Sequence, residues 1–529
     1  QRPDKVFVKT TQGEALTYSD ADVQANQLAH GLKRLDVGFG DRVALLLPNG
    51  LPHVLAWLAC ARLGAIHVAV NLEYRGSFLK HVLVNSQARV LFTAPEFLDN
   101  LSEISEELQD LQVVVVCPPT LHAARSSPEP LGLRRPLPAS AGRVIKQVFL
   151  GELLSEVAGL PEEAGEVSYQ DIASILYTSG TTGPSKGVLM PHAHNYLFGL
   201  GSICNLELQE DDVYYICLPL FHANALFMQL YAVLIGGMTA VLRERFSASE
   251  WLADIRNHGC TVTNTLGVMV EFLLRQPPSE QEGDHSLRVV TAAPLPPEQV
   301  EPFKQRFGVR HFIELYGMTE VNIPLYTPLE APRPGSCGKP WERFYEVSVL
   351  HPETDEPLSP NHVGEICVRP RQPYGFMQGY HGLPEKTVEA CRNFWFHTGD
   401  AGRVDDDGYF YFVDRIKDCI RRRGENISSF EVESALLEHT EVAEVAAIAV
   451  PSEIAGGEDE IKLVIVPHAQ KVPSPESIWA FCQSRLPKTM QPLYLELVDV
   501  LPKTPTNKVQ KAQLRAAGVS AQTCIRPQG

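Results

Sequence analysis

A layered α/β fold with parallel sheets is what this sequence predicts, and three observations carry the prediction. Helix-period and strand-like segments alternate through residues 14–70, and the alternation returns from Ile172 to about Tyr316. The pattern then changes: residues 345–412 hold short β-rich segments separated by Gly and Pro, and roughly 417–529 form an α+β stretch of domain size. At 529 residues the chain is also too long for one core, since domains run to about 100–200 residues. The expected architecture is a large N-terminal domain, residues 1–416, of layered α/β subdomains plus a β-rich subdomain. A small α+β C-terminal domain follows over 417–529.

Tyr18–Leu35 carries apolar residues at helical spacing, Arg42–Leu47 is a short buried strand, His53–Leu63 is helical and Ala65–Val70 is again a strand. Val54 to Val70 is the most apolar long run. Arg62, Gly64 and His67 interrupt it, so a buried helix and strand are expected there rather than a membrane span. Val113–Val116 is a strand. The Pro-rich stretch from Cys117 to Val144 is expected to be a surface excursion with little regular structure. Strand Ile172–Tyr177, a Gly/Ser/Thr turn and strand Gly187–Met190 come next. Further on, Tyr345–Leu350, Gly364–Val368 and Tyr409–Val413 are strands. The last stretch holds helix Ser429–His439, strands Val442–Val450 and Ile461–Pro467, and helix Ser474–Arg485.

Charge and cysteine usage exclude several classes. With 46 basic against 63 acidic residues the net charge is −17, a poor footprint for nucleic acid. Eleven cysteines are scattered singly, with no C-x-x-C pair and no Cys/His cluster at zinc spacing. That argues against a disulfide framework or structural zinc and points to a reducing compartment. No signal peptide is visible, so a cytoplasmic protein is expected.

The sharpest chemical signal is Tyr177-Thr178-Ser179-Gly180-Thr181-Thr182-Gly183-Pro184-Ser185-Lys186-Gly187. Nine of these eleven residues are Ser, Thr, Gly or Lys, set between two strands. Backbone N–H groups of such a turn form a concave anion nest, the hydroxyls add hydrogen bonds and Lys186 adds charge. No G-x-x-x-x-G-K-[ST] pattern runs through it, so it is not a Walker A loop.

This run resembles the phosphate-binding loop of the adenylate-forming superfamily, which includes acyl-CoA synthetases, nonribosomal-peptide adenylation domains and luciferases. Further motifs follow in the family's order. They are Thr291-Ala292-Ala293-Pro294-Leu295 at the adenine-pocket turn, Glu314-Leu315-Tyr316-Gly317-Met318-Thr319-Glu320 at the Y-G-x-T-E motif, and Trp395-Phe396-His397-Thr398-Gly399-Asp400 at the T-G-D motif. Asp414-Arg415-Ile416-Lys417-Asp418 matches the segment before the hinge, and Pro502-Lys503-Thr504-Pro505-Thr506-Asn507-Lys508 the C-terminal lysine motif. Phe410 to Arg415 and Gly424-Glu425-Asn426 are most similar to carnitine/crotonobetaine-type CoA ligases. Three positions depart from the family pattern: Pro184-Ser185-Lys186 in place of x-Pro-Lys, Asn507 in place of Gly, and Thr291-Ala292 in place of glycines.

The resemblance implies an acid:CoA ligase using ATP, Mg²⁺ and coenzyme A, with a mobile C-terminal domain. Tyr316 offers a flat π-face to adenine, and Glu314 with the Ala292–Ala293 backbone can take the purine edge. Thr319 can donate to the α-phosphate, Asp400 and Arg415 can clamp the ribose, and Glu320 is a hard oxygen ligand suited to Mg²⁺. Lys508 is the expected catalytic lysine, since an ammonium bridging acid and phosphate oxygens offsets the charge built as two anions join. His222 matches the aromatic position that gates the acyl site and pantetheine tunnel. The expected acyl pocket comprises His222, Asn224, Leu266, Gly267, Met269, Leu315 and Met318. Lys417 is the expected hinge, with Arg423, Gly424 and Glu425 on the CoA side. Rival readings are a ligase that takes an adenylate made elsewhere, an enzyme loading a carrier protein, and a degenerate nucleotide-binding paralogue. With 21 residues after Lys508, a carrier-loading enzyme with a fused carrier domain is not expected. Retention of Lys186, Glu320, Asp400, Arg415 and Lys508 counts against the degenerate paralogue.

Overall fold

The computed structural model describes residues 2–126, 137–138, 144–154, 159–161, 166–178, 185–293, 295, 297–416, 418, 420–422, 425–427, 429–451, 459–469, 471–486, 490–504 and 508–526. They fall into two compact units. The first comprises 2–178, 185–347 and 368–394, and the second 348–367 with the segment from 395 onward.

Two sheets build the first unit. One has nine strands. Its centre is parallel, in the order His311–Met318, Val289–Ala292, Val262–Thr265, Val213–Ile216, Thr239–Leu242 and Val6–Thr10. Antiparallel strands flank it, Asn322–Tyr326 on one side and Ala15–Thr17 on the other. The other sheet has eight strands, with the parallel run Ile172–Thr178, Ile66–Ala69, Arg42–Leu46, Val90–Thr93, Val113–Val116 and Val144–Phe149. Parallel strands need crossovers, which the intervening helices provide. Helix Tyr18–Lys33 starts where Thr17 and Asp20 form a reciprocal capping box, satisfying N–H groups that have no partner inside the helix. Helix Leu51–Leu63 is apolar on nearly every face and ends at left-handed Gly64. The apolar run Val54 to Val70 is thus a buried helix and strand. Among the described residues, no helix is long and apolar enough to cross a membrane.

The Pro-rich stretch after Cys117 is more regular than its composition suggests. It contains helix Leu121–Ser126 and strand Leu137–Pro138, which pairs antiparallel with Val144–Phe149; the rest lies outside the described residues. Prolines obstruct a central strand but are tolerated at a sheet edge, where this one sits.

The β-rich sequence forms a four-stranded sheet, Tyr345–Leu350, Gly364–Pro370, Phe396–Val404 and Phe410–Arg415, most of it in the second unit. Phe396–Val404 was not expected as a strand. Two glycines hide it, Gly399 being left-handed at φ +72°. A second sheet joins Val442–Pro451, Asp459–Pro467, Tyr494–Leu497 and Cys524–Ile525. Its core includes Val432, Leu436, Leu463, Ile465, Ile478 and Trp479. The expected pivot Lys417 falls within the chain of this second unit, outside the described residues.

Candidate active site

Strands Ile172–Thr178 and Lys186–Pro191 pair antiparallel, with Thr178 opposite Lys186. The hydroxyl-rich turn therefore joins two paired residues, while Ser179, Gly180, Thr181, Thr182 and Gly183 themselves lie outside the described residues. The Lys186 ammonium sits 4.0 Å from the centre of the Tyr380 ring. The Tyr380 hydroxyl donates to Glu320 Oε1 at 3.0 Å, and Thr178 Oγ1 lies 3.5 Å from the same oxygen. Glu320 is buried. Among the described residues its hydrogen bonds reach one oxygen, Oε1, and a buried carboxylate is a ligand for a hard cation. This donor set fits Mg²⁺.

The residues expected on the purine side lie at the carboxyl ends of three neighbouring parallel strands, where open α/β sheets hold ligands. Ala292 pairs with Thr265 on one side and Glu314 on the other. The Leu295 N–H donates to Glu314 Oε1 at 3.2 Å. Burial pushes the Glu314 carboxyl up to about 7, against the pull of that hydrogen bond. Pro294 lies outside the described residues, and Ala293 is half-buried at the strand end. Tyr316 is buried on His311–Met318. Gly317 is required: a Cβ there would stand 2.3 Å from the Asn322 carbonyl oxygen, across the hairpin that turns the chain into Thr319 and Glu320. His194 lies 2.9 Å from the Thr319 carbonyl and braces that turn from beneath.

His222 is exposed, two residues before a π-helical stretch, Asn224–Tyr231, and packs against the Phe221 ring at 4.6 Å. Such wide turns recur at functional positions. The segment leading to it is pinned by Asn49. The Asn49 amide donates to the Leu218 and Arg243 carbonyls at 2.8 and 3.0 Å and accepts from the Leu220 N–H at 2.8 Å. Asn224 belongs to a chain of amides: Tyr214 OH donates to Asn264 Oδ1 at 2.7 Å, and Asn264 Nδ2 donates to Asn224 Oδ1 at 2.7 Å. Gln229 Nε2 donates to the same oxygen at 3.0 Å. Of the other acyl candidates, Leu266 is exposed, Met318 half-buried, and Gly267, Met269 and Leu315 are buried.

In the second unit, Arg415 Nε meets Asp400 Oδ1 at 2.9 Å across the strand pair. The Asp400 turn is braced by Glu365, which accepts from the Gly399 N–H at 2.9 Å and contacts His397 Nδ1 at 2.8 Å. Cys367 lies 3.5 Å from the same nitrogen. Strand pairing thus gathers ligand atoms of Glu365, Cys367 and His397 within 4.8 Å of one another. Sequence spacing gave no sign of such a cluster, because its members come from two strands thirty-odd positions apart. Lys508 is exposed; its N–H meets Thr504 Oγ1 at 3.1 Å, and its carbonyl accepts from the Thr504 N–H at 2.8 Å. Arg423 and Gly424 lie outside the described residues, and Glu425 begins strand Glu425–Ile427.

Tyr380 and Asn49 are the residues that sequence reasoning missed. The only local hint at Tyr380 was an aromatic set between Gly379 and Gly382. Asn49 showed only as a polar residue ending an apolar strand.

The fold and the comparisons define the class: an AMP-forming acyl-CoA synthetase. The AMP-binding enzyme family matches residues 1–381 and the AMP-binding enzyme C-terminal domain residues 431–508, and the chain belongs to this family. It is 30% identical to the crotonobetaine/carnitine–CoA ligases of Salmonella arizonae and Citrobacter koseri, in each case over 94% of this chain and 93% of the relative. Among solved structures it resembles ATP-bound MatB from Rhodopseudomonas palustris, with a TM-score of 0.82 and 25% identity over 97% of this chain and 96% of that one. It also resembles the AMP complex of o-succinylbenzoate CoA synthetase from Bacillus subtilis, with a TM-score of 0.79 and 27% identity over the same shares. ATP and CoA are the co-substrates of such a ligase.

Proposed function

We propose that the protein activates an uncharged, medium-sized acyl or cyclic carboxylic acid in two half-reactions. In the first, a carboxylate oxygen bonds to the α-phosphorus of ATP and the bond to the bridging oxygen breaks, releasing pyrophosphate. In the second, the CoA sulfur bonds to the acyl carbon, AMP leaves with the oxygen and the thiol proton passes to solvent. Lys186 would steady the β- and γ-phosphates, Glu314 the purine edge, Asp400 with Arg415 the ribose, and Lys508 the charge that develops at phosphorus. Glu320 would hold Mg²⁺, which neutralises phosphate charge when bound. The observation that carries this reading is Glu320, a buried carboxylate beside the loop lysine and its paired threonine.

Preference for an uncharged acid rests on Asn224. Its carbonyl oxygen already accepts two amide donors, so the group it can offer a ligand is N–H, which suits an oxygen acceptor and repels a cation. A quaternary ammonium needs a carboxylate or an aromatic cage. Hinge motion at Lys417, gating by His222 and CoA contacts from Arg423, Gly424 and Glu425 complete the proposed cycle. Acid-dependent exchange of pyrophosphate into ATP, measured beside thioester formation, tests it. Both activities support the full ligase. Exchange without thioester favours a carrier loader, thioester only from supplied adenylate a half-ligase, and neither a nucleotide-binding paralogue. A substrate panel led by trimethylammonium acids would overturn the acid assignment.

A further inference from the structure

The segment Met377–His381 pairs antiparallel with Lys186–Pro191 through an isolated bridge. The Gln378 N–H donates to the Leu189 carbonyl at 2.8 Å, Leu189 N–H to Gly379 at 2.9 Å and His381 N–H to Gly187 at 2.7 Å, with Tyr380 bridged to Val188. The same segment reaches the other side of the phosphate site, where the Met377 N–H donates to the Glu320 carbonyl at 3.0 Å. Tyr380 is held at the middle. Its own N–H donates to Thr387 Oγ1 at 2.9 Å, and left-handed Gly379 and Gly382 bend the chain on either side. One side chain therefore touches both charged groups of the proposed triphosphate site. Its ring face lies against the Lys186 ammonium at 4.0 Å and its hydroxyl donates to Glu320 at 3.0 Å.

We propose that Tyr380 is the positioning residue that sets the spacing between the phosphate-binding lysine and the metal-binding carboxylate. The claim rests on the ligase reading above. The two halves of the tyrosine do different work. A phenol O–H donates to a carboxylate, so the hydroxyl holds Glu320 by Oε1 and fixes the plane of its carboxylate. The ring supplies a face that attracts an ammonium without neutralising it, and so orients Lys186. An acidic residue in the same place would pair with the lysine and compete with ATP.

Dividing the two functions tests the proposal on the full-length chain. Calorimetric affinities for Mg·ATP and for metal-free ATP are compared in wild type, Tyr380→Phe and Tyr380→Leu, with thermal melting as the check on folding. Loss of a hydrogen bond to a charged group predicts that Tyr380→Phe weakens Mg·ATP by about tenfold or more. Metal-free ATP should change by less than about twofold in that variant, since the ring under Lys186 remains. Tyr380→Leu should weaken both forms; if it fails to fold, Tyr380→Phe alone decides. The proposal is overturned if Tyr380→Phe binds Mg·ATP as wild type does, or loses the same factor for both forms. A wild type that binds neither form would remove the nucleotide site itself, and the proposal with it.

Discussion

His53 and His67 face each other in the core of the first unit, ring centres 6.1 Å apart. Both are buried, and among the described residues neither Nε2 nor, in His67, Nδ1 has a hydrogen-bond partner. Desolvation lowers their pKa values to about 4 and about 3, from 6.5 in the unfolded chain. Folded values below unfolded ones mean that the unfolded state binds more protons, so this stability is present above pH 6.5 and is lost as pH falls. At pH 5 an unfolded histidine is almost wholly protonated while the folded pair is almost wholly neutral. Each then costs about 2 kcal/mol relative to pH 8, about 4 kcal/mol for the pair. Urea unfolding of wild type and of His53→Gln/His67→Gln at pH 8 and pH 5 isolates this contribution, since the remaining titrations are common to both. The double variant should lose several kcal/mol less than wild type between the two pH values. Identical pH dependence would refute the reasoning, because it would mean the rings are protonated or hydrated in the fold.

Lys508→Ala should slow adenylate formation by ~10²–10³, the usual effect of removing one oxyanion donor, yet leave thioester formation from synthetic acyl-AMP largely intact. Equal loss in both steps in stopped assays would make Lys508 structural. Lys417→Pro fixes φ near −65° and removes an N–H, so pyrophosphate exchange should persist while most thioester formation disappears; wild-type rates for both would place the pivot elsewhere. Asn49→Ala strips hydrogen bonds from two carbonyls and one N–H, which predicts a loss of about 2–4 kcal/mol and a looser His222 segment. Denaturant titration beside acid KM checks it, and unchanged values in both would contradict the role given to Asn49.

Local pattern made most of the fold legible. Helix Tyr18–Lys33 was legible through its apolar period, to which the structure adds the Thr17 cap, and helix Pro475–Arg485 was legible in outline, the structure adding a Ser474 side chain that accepts from the Ser477 N–H. The candidate phosphate, purine and lysine residues could be named from sequence because each lies in a short contiguous motif. What escaped was fixed by long-range pairing. Tyr380 acts on a residue 60 positions away, Asn49 on carbonyls 169 and 194 positions away, and Glu365 reaches His397 only because their strands adjoin. Strand Phe396–Val404 escaped for a local reason, since glycines weaken the strand signal where the backbone must turn for Asp400.

Passage of the acid through an acyl-adenylate is the central claim, and isotope transfer tests it most directly. An accepted acid labelled with ¹⁸O in both carboxylate oxygens is incubated with the protein, Mg·ATP and CoA, and the products are weighed by mass spectrometry. Attack on the α-phosphorus must leave one labelled oxygen in AMP and one in the thioester, with pyrophosphate unlabelled. Label in inorganic phosphate, or thioester formed with ADP in place of labelled AMP, would contradict the account.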